Sequence, residues 1–417
     1  MWRICGMMNR KDAAALDRKD TFAKKRKDFL IPKGMIYLDG NSLGVLPKAA
    51  VARVKKAVEV EWGRDLITSW NKHGWFHLPQ KIGDKIAKVI GADPGSVIVA
   101  DTISVNLFKV LSAAVARNRG RKVILSDSGN FPSDLYVAQG LTQFMADGHE
   151  LRVVEPEQVL DAITEDVAVV MVTEVDYRSS RRHDMKAITE KAHAKGALMI
   201  WDLAHSAGSV PGRLMEVNAD FAIGCTYKYL NGGPGAPAFV FVHPRLQKEV
   251  MPALVGWWGH AKPFAFDQKF IGADSIVRFQ CGTQPMLNMQ ALDAAMDVYK
   301  GVNMDKLHAK AQKQCAMFAE LAEQRCGKFG ISVHGEQNWD QRGSHVCLAH
   351  DESYAIMQAL ISRQVIGDFR APNLMRFGFT PLYVSYTDVY DAVEHLHQVL
   401  SKRLWDKPKF KAKSAVT

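Results

Sequence analysis

Between residues 97 and 242 the chain carries seven short apolar runs, rich in Val and Ile and separated by stretches of helical period. They are VIVA (97–100), KVILS (122–126), LRVV (151–154), VAVVMVT (167–173), ALMIWD (197–202), DFAIG (220–224) and PAFVFV (237–242). Several are apolar at successive positions instead of alternating, the pattern of strands covered on both faces, as parallel strands are. With helices between them, the runs predict an α/β fold: a mostly parallel central sheet flanked by helices. Upstream, Pro47 opens a predicted helix through about Trp62 and a second ends near Gly91. Downstream, a loop rich in Gly, Trp and Phe (255–284) leads into helices at roughly 286–300 and 304–326. The last stretch reads as a smaller α/β unit: SHVCLAH, a helix over about 352–363, NLMRFGF, and a closing helix from about 387. The reading is an N-terminal segment (1–45) packed with the small domain, a large domain (46–285), and a small C-terminal domain (286–417) whose basic tail frays from about 402.

At 417 residues, 47% of them apolar, the chain has room for two domains. Its formal charge of +10 suggests nucleic acid until it is located along the chain. Residues 1–30 hold nine Lys/Arg against four Asp and residues 402–417 hold six against one, so the ends supply all of it. That is no distributed nucleic-acid footprint. Six scattered cysteines without a CxxC fit a reduced, cytoplasmic protein. No run reaches the roughly 20 apolar residues that span a bilayer, no metal-ligand spacing is present, and Met1, Met7 and Met8 are all possible starts.

In an open parallel sheet, ligands gather beyond the carboxyl ends of the strands. ALMIWDLAHSAG ends one predicted strand on Asp202, with His205 close behind. DFAIGCTYKYLNGGPG leads from the next strand to Lys228, between two tyrosines and before a glycine-rich turn. A lysine there more often snorkels to the surface, but in a partly desolvated pocket it loses its proton readily and becomes nucleophilic. The pair meets both demands of pyridoxal phosphate (PLP): an amine for the aldehyde and an anion that keeps the pyridine nitrogen protonated. In DTISVNLFKVLSAAVA, Thr102 or Ser104 caps an apolar-periodic helix, and the N–H groups beyond a cap form the anion site that a cofactor phosphate needs.

DGNSLG (39–44), SVNLF (104–108), FPSDLY (131–136), WDLAHSAG (201–208), YKYLNGGPGAPAF (227–239), GWWGH (256–260) and FQCGTQP (279–285) occur in the order and approximate spacing of kynureninases, and over about residues 20–400 the chain resembles that family. The resemblance implies the aspartate-aminotransferase type of fold (fold type I), a homodimer, and PLP-dependent hydrolysis of L-kynurenine or 3-hydroxykynurenine to the anthranilate and L-alanine, in tryptophan catabolism or NAD biosynthesis. It implies that Lys228 carries PLP, that Asp202 holds the ring nitrogen with help from His205, and that Phe131 stacks on the ring. Asp134 supports the site from the same turn as Phe131, and Thr173 approaches the ring oxygen. Ile103 (through its backbone), Ser104 and Tyr227 hold the phosphate, joined by Trp257 and Thr283 of the other subunit.

For the substrate, Arg376 in NLMRFGF is the candidate for the carboxylate, which a guanidinium binds through two parallel hydrogen bonds; the alternative is a strand-edge arginine in a surface ion pair. Asn41 donates to the same carboxylate or caps a turn. Gly282 and Thr283 are placed at the substrate too. Thr283 stands where the animal branch has Asn, which favours kynurenine over its 3-hydroxy form. Trp257, Trp258, His260 and Phe264 make a flat slot for the aromatic ring or simply pack together. Tyr227 is expected to relay the proton that completes alanine, with Lys228 as the other candidate. The rivals are an aminotransferase, a cysteine desulfurase, and a PLP-binding regulator. A desulfurase needs a reactive thiol on a mobile loop, whereas Cys347 falls inside a predicted strand, and no DNA-binding segment stands beside the enzyme-sized body.

Overall fold

The computed structural model describes residues 8–412, so Cys5, the starts at Met1 and Met7 and the tail residues 413–417 lie outside the described residues. The chain divides into two compact units, Ala49–Tyr177 with His183–Tyr299, and Met1–Lys48 with Arg178–Arg182 and Lys300–Thr417.

All seven apolar runs are strands of one sheet in the first unit: β1 (Val97–Val99), β2 (Val123–Asp127), β3 (Glu150–Val154), β4 (Val167–Thr173), β5 (Leu198–Asp202), β6 (Phe221–Gly224) and β7 (Phe239–Val242). Their order across the sheet is β1-β7-β6-β5-β4-β2-β3. From β3 to β6 every pairing is parallel. β7 is antiparallel to both β6 and β1, so β1 runs in the same direction as the parallel set. The sequence did not separate β7 from the rest; residues 225–238 form turns and no helix, and a parallel return needs a crossover. Nor is β3 covered on both faces, since it lies at the sheet edge with Glu150 and Val153 exposed.

The core explains why these segments fold so. In α1 (Ile103–Arg117) the buried Leu107, Val110, Leu111 and Ala114 recur at helical spacing and pack on Met171, Ile200, Ile223 and Val240 of the sheet. Ile200 is fully buried in β5. We expect Ile200→Ala to cost about 2–5 kcal/mol of stability, read from the urea midpoint. Helix α2 (Met286–Ala295) belongs to this unit, although the sequence reading assigned it to the C-terminal domain. It buries Met289 and Leu292, and its Asp293 pairs with Lys81 and Lys85 of the helix Leu78–Ile90. The division therefore falls after Tyr299, not near 285.

The second unit holds an antiparallel sheet of β8 (Ser332–His334), β9 (His345–Ala349), β10 (Asp368–Arg370) and β11 (Leu374–Gly378), ordered β10-β11-β9-β8. The helices Met304–Cys326, Ser353–Ile361 and Tyr386–Ser401 complete it. From the N-terminal segment, Ile36–Tyr37 pairs in parallel with Val365–Ile366. Residues 402–412 are not frayed: Pro408–Lys411 is a short helix, Asp406 pairs with Arg403 and Lys411, and the Tyr354 hydroxyl donates to the Ala412 carbonyl. Among the described residues no helix is long and apolar enough to cross a membrane.

Candidate active site

Beyond the carboxyl ends of β1, β2, β4, β5 and β6 lies a cavity of about 220 Å³. The shared direction of these strands brings their following loops to one edge of the sheet, where polar groups can be exposed without breaking the core. Nine of the sequence candidates line it: Ile103, Ser104, Phe131, Asp134, Thr173, Asp202, His205, Tyr227 and Lys228. Ser133, Val175, Tyr177, Ala204 and Cys225 line it as well, and sequence reading missed them. Cys225 directly follows the last residue of β6 and Ala204 stands two residues past the end of β5; Tyr177 lies in the loop after β4, where only the strand's direction reveals its place.

The Lys228 amine sits 2.9 Å from His205 Nε2 and 5.9 Å from the Phe131 ring centre. Asp202 is 3% exposed, and its Oδ1 accepts the Ala204 N–H at 2.8 Å. Burial pushes its carboxyl up to about 6 against the pull of that N–H and of the Lys228 charge. Asp134 is 2% exposed, and its Oδ2 has no hydrogen-bond partner. Burial raises it well above the usual carboxylate range, and the nearby Asp202 charge adds to the effect. Two desolvated carboxyls beside one amine make a donor set suited to a polar or cationic guest. The Tyr227 phenol is also raised, chiefly by burial. Thr173 Oγ1 donates to the Val175 carbonyl at 3.2 Å.

Phe131 is 43% exposed, so it is no core residue; its ring meets Tyr177 edge-on at 5.2 Å. Buried Asn130 fixes the turn before it, accepting the Phe131 N–H at 2.8 Å and donating to Ser126 Oγ at 3.1 Å. Of the two possible caps of α1, Thr102 is the one: its hydroxyl accepts the Val105 N–H. Ser104 falls in the first turn, on the cavity wall.

The remaining candidates do not join this cavity. Gly282 and Thr283 are exposed in the loop before α2. Trp257 lines a separate cavity of about 540 Å³ with Phe264, His260 and Phe266. Trp258 is packing, not slot: it is 1% exposed, stacked on Trp257 at 5.3 Å, and touches Trp70 and Phe76, which sequence reading passed over.

Within the second unit, Arg376 is neither at a strand edge nor on the surface. It is 1% exposed on the interior strand β11, with Nε 3.0 Å and Nη2 2.5 Å from the Asp368 carboxylate and Nη2 2.8 Å from Ser42 Oγ. Asn41 is fully buried with neither amide atom hydrogen-bonded. It stands so close to Gly378 that a Cβ there would lie 1.9 Å from its Oδ1. Burial and then the Asp368 charge push the neighbouring Asp39 up to about 7.

Asp202 also makes a pH signature. A carboxyl whose folded pKa exceeds its unfolded value of 3.8 binds its proton more tightly when folded, so this contribution is complete below about pH 4 and lost as pH rises through about 6. The cofactor-free Asp202→Asn protein is expected to be more stable than wild type at pH 8, by roughly 3 kcal/mol, and nearly equal to it at pH 4 and below. Denaturant titrations at both pH values check this.

The chain is similar over its whole length to characterised proteins. A family model for the kynureninase C-terminal domain matches residues 307–396. Kynureninase of Pseudomonas fluorescens is 47% identical over 416 residues, 99% of this chain and all of that protein. Kynureninase of Burkholderia pseudomallei strain 1106a is 47% identical over 417 residues, again 99% of this chain and all of that protein. Among solved structures, the cysteine desulfurase of Thermococcus onnurineus NA1 matches with a TM-score of 0.74 at 16% identity, over 91% of this chain and 98% of that one. A cysteine desulfurase from Escherichia coli matches at 0.75 and 16%, over 92% and 99%. At that identity the likeness is one of fold, that of fold type I. Nearly half of the positions agree with the kynureninases from one end of the chain to the other, so the chain belongs to the kynureninase family.

Proposed function

We propose that this chain hydrolyses L-kynurenine, and 3-hydroxykynurenine less well, to the corresponding anthranilate and L-alanine by Cβ–Cγ cleavage, with PLP as its cofactor. The observation that carries this reading is a cavity in which an amine, two desolvated carboxyls and an aromatic face converge. That donor set fits PLP. Lys228 would take the aldehyde carbon, Asp202 the ring nitrogen with His205 and Asp134 beside it, and Phe131 the ring face. Thr173 would stand near the ring oxygen, and Ile103, Ser104 and Tyr227 around the phosphate at the start of α1. When bound, PLP supplies an electron sink for the substrate α-carbon.

The protein's own groups do the rest. The Lys228 amine takes the α-proton. Water adds to the γ-carbonyl, and breaking Cβ–Cγ releases the aromatic acid. Tyr227, kept protonated by burial, returns a proton to the β-carbon of the three-carbon fragment. Arg376 and Asn41 are assigned to the substrate carboxylate and Gly282 and Thr283 to its aromatic end, with Thr283 favouring kynurenine. Trp257 and Thr283 would reach the phosphate of a second copy, making the enzyme a homodimer, and cytoplasmic tryptophan breakdown or NAD biosynthesis is its setting. A desulfurase reading is disfavoured, because Cys347 is fully buried in a strand.

The test is to load the protein with PLP, add L-kynurenine and follow anthranilate fluorescence. Anthranilate and alanine in equal amounts support the reading. Their absence, or alanine from cysteine instead, refutes it.

A further inference from the structure

Lys109 lies on the second turn of α1 and is completely buried, a position that helical spacing would give to an apolar residue. A buried ammonium is costly unless it is paired and hydrogen-bonded. Here Nζ donates to Asp101 Oδ2 and to the Phe279 carbonyl, each at 2.5 Å. Asp101 is the single residue between β1 with its trailing Ala100 and the cap Thr102, and its backbone is left-handed, φ 44. Few residues other than glycine adopt that conformation, and it persists only where the surroundings over-determine it. Every polar group of Asp101 is tied. Its N–H donates to Gln284 Oε1 at 2.9 Å, its carbonyl accepts the Ala238 N–H at 2.8 Å, and its carboxylate takes Lys109. Three pieces of chain therefore meet at one buried charge: the turn into α1, the start of β7, and the 279–284 segment that bears Gly282 and Thr283.

We propose that Lys109 is a positioning residue for the cofactor phosphate. Its ammonium locks the strained Asp101 turn and pins Phe279, so that the first N–H groups of α1, with Ile103 and Ser104, stand in the cavity in the geometry an anion needs. Lys109 does not touch the cofactor. The proposal rests on reading the start of α1 as the phosphate site.

The discriminating ligand is pyridoxal, which shares every contact of PLP except those of the phosphate. Dissociation constants of PLP and of pyridoxal are measured on the full-length, cofactor-free chain for wild type, Lys109→Met and Asp101→Asn. In the Lys109→Met protein the preference for PLP over pyridoxal is expected to fall at least tenfold, with pyridoxal affinity nearly unchanged. The phosphorus resonance of its bound PLP is expected to shift. Asp101→Asn keeps the side-chain shape and weakens the tie, so it should lose preference in the same direction, at least threefold, and it decides the matter if Lys109→Met does not fold. An unchanged PLP-to-pyridoxal ratio in a folded variant, or an equal loss for both ligands, overturns the proposal and leaves Lys109 a structural residue. A wild type without any preference for PLP overturns the phosphate reading itself.

Discussion

Lys228→Ala is expected to reduce anthranilate release from L-kynurenine by at least about a thousandfold, the scale of losing both an activated amine and the acid–base group at the α-carbon. The residue is half-buried, 2.9 Å from His205, and contributes nothing to the apolar core, so the fold should survive the change. Two readouts separate its roles. Borohydride reduction of the PLP-loaded wild type should fix the cofactor covalently at position 228, and the alanine variant should retain PLP only loosely. Added methylamine should restore part of the turnover, because a small amine can enter a cavity emptied of the side chain. Unchanged turnover in the variant would refute the assignment of Lys228.

Tyr227→Phe is expected to lower kcat by about 10²–10³ while KM moves little, since the phenol acts after the carbon–carbon bond has broken. Burial holds the phenol protonated across the neutral range, so it serves as a donor there and not as a base. The variant loses the hydroxyl and keeps the ring. The incorporation of solvent deuterium into the methyl group of alanine gives a second check. With kynurenine carrying one tritium in a single configuration at its β-carbon, wild type should give a methyl group bearing H, D and T in one configuration, and the variant should give a mixture of both. If turnover stays at the wild-type level, the proton comes from Lys228.

The strands of the larger unit were legible because full burial leaves a run of apolar residues that no other context explains; VAVVMVT is buried at every position. The exposed edge β3 and the reversed β7 were not, because edge position and strand direction depend on partners far along the chain. At the cavity the same rule holds. Asp202 and Lys228 were legible as chemistry at strand ends, and their neighbours Asp134 and Phe131 through family motifs. Tyr177 and Asn130 were not, since nothing local tells a cavity wall from a loop. Arg376 was found as a residue but not in its setting: the partner that decides its environment, Asp368, belongs to the adjacent strand. Lys109 escaped for the opposite reason, since a lysine in an amphipathic helix is ordinarily solvated.

The cavity lining extends from residue 103 to residue 228 and comes from the loops beyond five strands. No fragment that lacks one of these loops contains the whole of this cavity, so cofactor capture is expected to follow assembly of those strands. A ligand that recognises only the finished state adds stability in proportion to the logarithm of its concentration, but it cannot hasten the long-range parallel pairing that limits folding. PLP should therefore leave the refolding rate unchanged and slow unfolding. When the vitamin is scarce, newly made chains would fold at the same pace and be cleared by proteases sooner, so that the abundance of the protein follows the supply of its cofactor.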